Sequence, residues 1–96
     1  MKALIIGAGT YGEVYLSYLE EAGYEIVCFL DDDKRLWDTK IHGVPVLGPV
    51  MLLESINILD IEAVFCPIGN NNLRMDFLSK AELLGFKIPN FIHPSV

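Results

Sequence analysis

Apolar residues fall into short continuous runs, separated by longer stretches in which they recur every three or four positions. The first run, Leu4-Ile5-Ile6, breaks into Gly7-Ala8-Gly9-Thr10-Tyr11-Gly12. Short unbroken runs suit strands buried on both faces, and a three-to-four period suits a helix packed on a sheet. These rules predict a strand up to Ile6 and then a helix over residues 11–22. That helix turns Val14, Leu16, Tyr18, Leu19 and Ala22 inward and is stopped by Gly23. Residues 24–30 are β-branched and aromatic, a second buried strand that stops abruptly at Asp31-Asp32-Asp33.

Residues 34–42 are polar apart from Trp37 and predict a short helical turn with a surface excursion. Asp33 reads as the cap of that turn or a solvated acid, with a ligand role as the alternative. A short strand follows between Gly43 and Pro49, and Pro45 suggests that it lies at a sheet edge, where a missing amide costs little. Residues 49–58 read as a helix with Met51, Leu52, Leu53 and Ile56 inward, and residues 63–68 as a strand running into Gly69-Asn70-Asn71-Asn72. A helix over 72–84 carries Leu73, Phe77, Leu78, Ala81, Leu84 and Phe86 as its stripe, with an asparagine at its front and Gly85 behind. Residues 87–92 close the chain as a last strand before the tail His93-Pro94-Ser95-Val96.

The alternation of strand and helix predicts one α/β domain over residues 1–96, a small Rossmann-like three-layer unit with a mostly parallel open sheet. Composition agrees: 52% hydrophobic and 21% charged residues fit a globular chain with one core. No apolar run approaches the roughly 18 residues of a membrane span, and the start is expected to be a buried strand rather than a signal peptide, which places the chain in the cytoplasm. A net charge of -6 makes nucleic acid and anionic membranes poor partners. It leaves phosphate open, because backbone amides hold phosphates without lysine. Cys28 and Cys66 lie in predicted strands, with no CxxC and no nearby histidine cluster, and read as reduced buried thiols rather than metal ligands.

Usual winding puts the first strand at the centre, flanked by the 24–30 strand and the 63–68 strand. The loops after the central strands then splay apart and leave a crevice at their carboxyl ends. Gly7, Gly9, Thr10, Tyr11 and Gly12 form one lip, Ile68, Gly69 and Asn70 the other, and Asp31 and Asp32 end the flanking strand. The glycine spacing G-x-G-x-x-G suits an anion at a helix start. Each part also has a plainer reading: turn glycines, solvated aspartates, a helix-capping asparagine, a Tyr11 packed on the sheet. His42 reads best as a surface residue, and Arg74 and Lys34, which could approach a phosphate, read best as part of a solvated face. No nucleophile–base pair is visible, and no catalytic residue is assigned.

Several segments together resemble a known family: Ile5-Ile6-Gly7-Ala8-Gly9 with Gly12, Val27 through Asp33, Gly43-Val44-Pro45-Val46-Leu47-Gly48, Ile68-Gly69-Asn70-Asn71, Arg74, and Asn90-Phe91-Ile92-His93-Pro94-Ser95-Val96. In order and over nearly the whole chain, they look like the N-terminal domain of bacterial sugar acyltransferases of the sialic-acid and pilin-glycosylation type. The resemblance implies a domain that binds the UDP part of a UDP-amino sugar rather than NAD, as the substrate domain of an N- or O-acetyltransferase in polysaccharide biosynthesis or glycosylation. Residues Gly9 to Gly12 would then lie near the diphosphate, Asp31 and Asp32 near the uridine, and Ile68-Gly69-Asn70 across the crevice. It also implies no cofactor in this domain. Acetyl-CoA and the catalytic histidine belong to a C-terminal left-handed β-helix, through which the parent protein would trimerise. The chain is expected to stop where that domain begins, so His93 is not that histidine and acetyl transfer is not expected from these residues alone.

The chain departs from the family at Gly9-Thr10-Tyr11, where Gly-Gly-His is frequent. The segments 29–33 and 43–46 also resemble nucleotide-binding domains of polysaccharide-biosynthesis dehydratases and NADH-sensing repressors. An NAD(H)-binding or redox-sensing module therefore stands as the alternative, with a ligand-free interaction domain as a third reading.

Overall fold

The computed structural model describes residues 1–55 and 60–89 of the chain. Among them run β1 (Lys2–Ile6), α1 (Thr10–Glu21), β2 (Glu25–Leu30), β3 (Lys40–Ile41), β4 (Val44–Gly48), β5 (Ala63–Phe65) and α2 (Asn71–Leu83), with 3₁₀ segments at Lys34–Leu36 and Val50–Glu54. The strand order is β3-β4-β2-β1-β5, parallel throughout except for the β3–β4 hairpin. The expected arrangement is therefore present: β1 is central, β2 and β5 flank it, and the order reverses beside it.

Period-2 alternation splits the sheet's side chains between two cores. Leu4, Ile6, Cys28, Leu30, Val64 and Cys66 pack with Val50, Leu53, Ala81 and Phe86 on one face. Ala3, Ile5, Phe29, Val46 and Phe65 pack with Leu16 and Leu19 of α1 on the other. A register shift lets Ala3 pair with Ile26 and Leu4 with Cys28, so Val27 is an extra residue on β2. That bulge keeps Ile26 and Phe29 on the α1 face although they lie three apart.

Several expectations are corrected. Val14 and Ala22 of the α1 region are exposed, and the buried positions of that helix are Gly12, Leu16 and Leu19. β4 is not the edge, because β3 covers its outer side. Pro45 is tolerated there because it precedes the first registered pair with β2, Phe29↔Val46. The segment after Pro49 is 3₁₀ rather than α, with Leu52 N–H donating to Pro49 O at 3.1 Å and Ser55 N–H to Leu52 O at 3.0 Å. Three residues per turn put Val50 and Leu53 on one buried face and leave Met51 63% exposed. β5 ends at Phe65, so Cys66 lies just beyond it and is still buried. Leu73 and Leu84 of the predicted stripe are exposed. Ile56 and the positions beyond Pro89, including the end of the predicted last strand and His93, lie outside the described residues. Within them, Lys87 bridges Ala63 in parallel.

Among the described residues no helix is long and apolar enough to cross a membrane. Both cysteines are free and buried. Burial pushes each thiol from its ordinary 9.0 up to about 12, and at Cys66 the nearby Arg74 charge works against the rise. Below pH 9 both thiols are protonated in folded and unfolded chains alike, and the benefit of burying them is whole. Between about pH 9 and 12 the unfolded chain sheds protons that the fold retains, so stability is lost. Urea unfolding across that range should show a decline of about 1.4 kcal/mol per pH unit for each thiol. The slope should be shallower in Cys28→Ala, and an unchanged slope would refute the burial of that thiol.

Candidate functional site

The turn after β1 is built by two glycines with distinct steric reasons. Gly7 has φ +103°, and a Cβ there would stand 2.6 Å from Ile68 Cγ2. Its N–H donates to Leu30 O at 2.8 Å, tying the loop to the end of β2. Gly12 lies in the first turn of α1, where a Cβ would collide with the Gly7 carbonyl. The helix start can therefore seat against the strand end only with glycine at position 12.

Gly9 is different. It is the N-cap of α1 with φ −83°, an angle open to any residue, and a Cβ there would meet nothing within 4 Å. Among the described residues no side chain caps this helix. Its first-turn amides, which have no intrahelical acceptor, are left to solvent or a ligand. A cavity of about 210 Å³ lies over the turn, bordered by Gly7, Gly9, Thr10, Tyr11, Gly12 and Asp31 on one side and by Pro67, Ile68 and Gly69 on the other.

The three consecutive aspartates each fasten a different segment. Asp31 Oδ2 accepts the Ala8 N–H at 2.9 Å and Oδ1 accepts the Asp33 N–H at 2.8 Å, so this carboxylate holds the glycine turn against the end of β2. Trp37 Nε1–H donates to the Asp31 carbonyl at 2.7 Å. Asp32 Oδ1 accepts the Val50 N–H at 2.9 Å and anchors the start of the second 3₁₀ segment. Its other oxygen accepts no hydrogen bond among the described residues. Asp33 caps the first 3₁₀ segment as expected, accepting Arg35 N–H at 3.0 Å. The Arg35 guanidinium hydrogen-bonds the same carboxylate and holds it below its ordinary value. The reading of Asp31 and Asp32 as either solvated or ligand-binding thus omitted a third use, as acceptors for backbone amides.

On the far lip, Asn70 caps α2 by accepting the Leu73 N–H at 3.0 Å, and Asn71 Oδ1 accepts from Arg74 Nη2–H at 2.8 Å. A second cavity, of about 320 Å³, lies between Asp31, Asp32 and Val50 on one side and Ile68, Gly69, Asn70, Leu73 and Phe77 on the other, floored by Ile6 and Gly7. All ten positions singled out from the sequence, Gly7, Gly9, Thr10, Tyr11, Gly12, Asp31, Asp32, Ile68, Gly69 and Asn70, border one or both of these cavities. Sequence reading missed Val50, Leu73 and Phe77 as cavity walls. The four-residue spacing of Leu73 and Phe77 just after the Asn70 cap was the available signal. A third hollow of about 150 Å³ lies between Tyr11, Tyr15, Pro67, Ile68, Gly69 and Arg74. His42 stands apart, exposed in the β3–β4 turn with Nε2 2.9 Å from Glu13 Oε1.

Known proteins share this fold. The family profile for the PglD N-terminal domain matches residues 2–81. PerB of Caulobacter crescentus, a perosamine N-acetyltransferase solved in complex with CoA and GDP-perosamine, superposes with a TM-score of 0.83 at 32% identity, over 99% of this chain and 44% of its own. The acetyltransferase domain of PglB from Neisseria gonorrhoeae, solved with acetyl coenzyme A, gives 0.75 at 32% identity over 97% and 44%. RSP, a Rex-family repressor, solved in complex with β-NADH, gives 0.78 at 28% identity over 95% and 45%. The chain thus spans less than half the length of each of these. No curated protein sequence matches it significantly.

Two substitutions separate the glycines by role. Gly12→Ala should lower the urea-unfolding free energy by at least about 1–3 kcal/mol, because the added carbon is forced against backbone. Gly9→Ala should cost less, about 0.5–1 kcal/mol, the loss of a favoured glycine N-cap with no steric clash. Equal losses would refute the steric account. Removing the clasp with Asp31→Ala should cost about 1–3 kcal/mol by unpairing two amides, and amide exchange at Ala8 and Asp33 should speed up with it.

Proposed function

The chain belongs to the PglD N-terminal domain family, and from that premise we propose that it is the sugar-nucleotide-binding domain of a sugar acetyltransferase, taking the nucleoside diphosphate of a nucleotide-linked amino sugar. The observation that carries this reading is Gly9. Gly7 and Gly12 are required by the protein's own packing, whereas none of the described residues crowds position 9, which borders the cavity over uncapped helix amides. A bare Cα at that point lets a diphosphate approach the main chain, and the amides and dipole of α1 favour its charge. Beside it, Val50, Leu73 and Phe77 offer apolar surface to a base, and the unpaired oxygen of Asp32 offers an acceptor to ribose or base N–H groups.

UDP is the nucleotide favoured by the sequence resemblance, and GDP is the alternative raised by the complex of PerB. Acetyl-CoA and the acetyl-transfer chemistry are assigned to a different part of the whole protein. We assign no catalytic residue to this domain. A second reading, an NAD(H) module, draws on the NADH complex of the RSP repressor. Against it, both Asp31 oxygens already accept backbone amides, which reduces what that carboxylate can give to an adenosine ribose.

Thermal unfolding with UDP, a UDP-amino sugar, GDP, a GDP-amino sugar, NAD and NADH added separately tests these readings. A ligand at a hundred times its dissociation constant stabilises by about 2.7 kcal/mol, a rise on the order of 10 °C for a domain of this size. Stabilisation by a uridine or guanosine nucleotide is expected. A shift with NADH alone would replace the proposal by the redox-module reading.

A further inference from the structure

Resting on the reading of the crevice as a nucleoside diphosphate site, we infer that Arg74 receives the distal phosphate and thereby fixes the direction in which the ligand lies. Charge is segregated along the crevice. Asp31 and Asp32 border the 320 Å³ cavity, Asp31 also borders the cavity over the glycine turn with both its oxygens bound to amides, and the 150 Å³ hollow has Arg74, beside Tyr11 and Tyr15, and no acid. Arg74 is the one lysine or arginine bordering any of the three cavities described above. The other basic groups near acids are engaged: Arg35 with Asp33, Lys80 with Glu54 at 3.4 Å, and Lys87 with Glu62 at 4.0 Å. Arg74 makes one hydrogen bond, to Asn71, and takes part in no ion pair among the described residues. Most of its five N–H donors are therefore left for a ligand.

A diphosphate carries at least two negative charges, so it is repelled by the aspartate end and attracted by the guanidinium. The planar fork of arginine also matches phosphate oxygens two at a time. The hollow is continuous with the glycine turn: Tyr11, Pro67, Ile68 and Gly69 border both it and the cavity over Gly9. A phosphate seated on the first-turn amides of α1 thus has its neighbour beside Arg74. The nucleoside then occupies the aspartate end, with its hydroxyls and base N–H groups facing carboxylate oxygen. The sugar leaves past Tyr11, which is 63% exposed. The sequence favours a solvated Arg74 over one that approaches a phosphate, and the structure puts it on the border of the hollow beside the turn, from α2.

Titrating UDP, GDP and the parent nucleosides into the wild-type chain, Arg74→Gln and Arg74→Lys tests this. Arg74→Gln should weaken diphosphate binding at least tenfold and flatten its salt dependence, while nucleoside binding stays within twofold. Arg74→Lys should recover part of the loss, because it restores the charge without the fork. If Arg74→Gln fails to fold by circular dichroism, the lysine variant decides, with at least a threefold loss expected. Wild-type binding that survives either folded variant unchanged, or an equal loss for nucleoside and diphosphate, overturns the role of Arg74 and leaves the proposed function standing. A wild-type chain that binds neither UDP nor GDP overturns the proposed function itself.

Discussion

The approach of Gly12 to the Gly7 carbonyl is the constraint on which the rest of the structure depends. Because position 12 lacks a Cβ, the first turn of α1 seats on the end of β1, where any side chain would meet a backbone oxygen. That contact fixes the aim of the helix's first amides. It also sets the depth at which Leu16 and Leu19 enter the core with Ile5 and Phe29. Gly7, held at positive φ, brings the Ile68 side chain within reach of the turn, so the lip after β5 is positioned by the same packing. The proposed anion site and a helix–sheet interface thus rest on the same contact.

The aspartate run then makes the turn rigid. Asp31 bonds the Ala8 amide inside the glycine loop, Asp32 bonds the start of the Val50–Glu54 segment, and Asp33 starts the Lys34–Leu36 segment. Three successive acids at one strand end would repel one another if left bare. Here each is neutralised in part by amides or, for Asp33, by Arg35, and the strand end becomes a hub from which three loops are held. A loop ordered before its ligand arrives loses less entropy on binding, which is the physical benefit of spending Asp31 on the protein itself.

The sequence made the scaffold legible because its signals are local. Continuous apolar runs identified β1 and β2, the glycine spacing located the turn, and Asn70 and Gly85 bracketed α2. Features set by pairing partners were not legible. The bulge at Val27, the covering of β4 by a two-residue β3, and the choice of 3₁₀ over α after Pro49 all depend on groups distant in sequence. The site divides in the same way. Its ten backbone-proximal positions follow from strand ends and helix starts, which a topology rule can place. Its side-chain walls do not, because Leu73 is on the rim only by virtue of how α2 lies over the sheet, and Met51 and Val50 exchange places when the helix tightens.

That division explains why the glycine fingerprint cannot choose among nucleotides. On the proposed reading the turn and the first amides of α1 meet a diphosphate, which uridine, guanosine and nicotinamide nucleotides share. What differs among them is the group on either side of the phosphates, and the side-chain surface beside the turn comes, apart from the aspartates that end β2, from outside the β1–α1–β2 unit. Val50 comes from the segment after β4, and Leu73, Phe77 and Arg74 come from α2. On that reading an acidic chain can hold an anion here because the one acid beside the glycine turn, Asp31, has both oxygens bound to backbone amides, and the hollow next to it is bordered by a guanidinium and no acid. Discrimination among nucleotides, on the proposed reading, therefore rests on Asp32 and on elements of the second half of the chain that the fingerprint positions but does not specify.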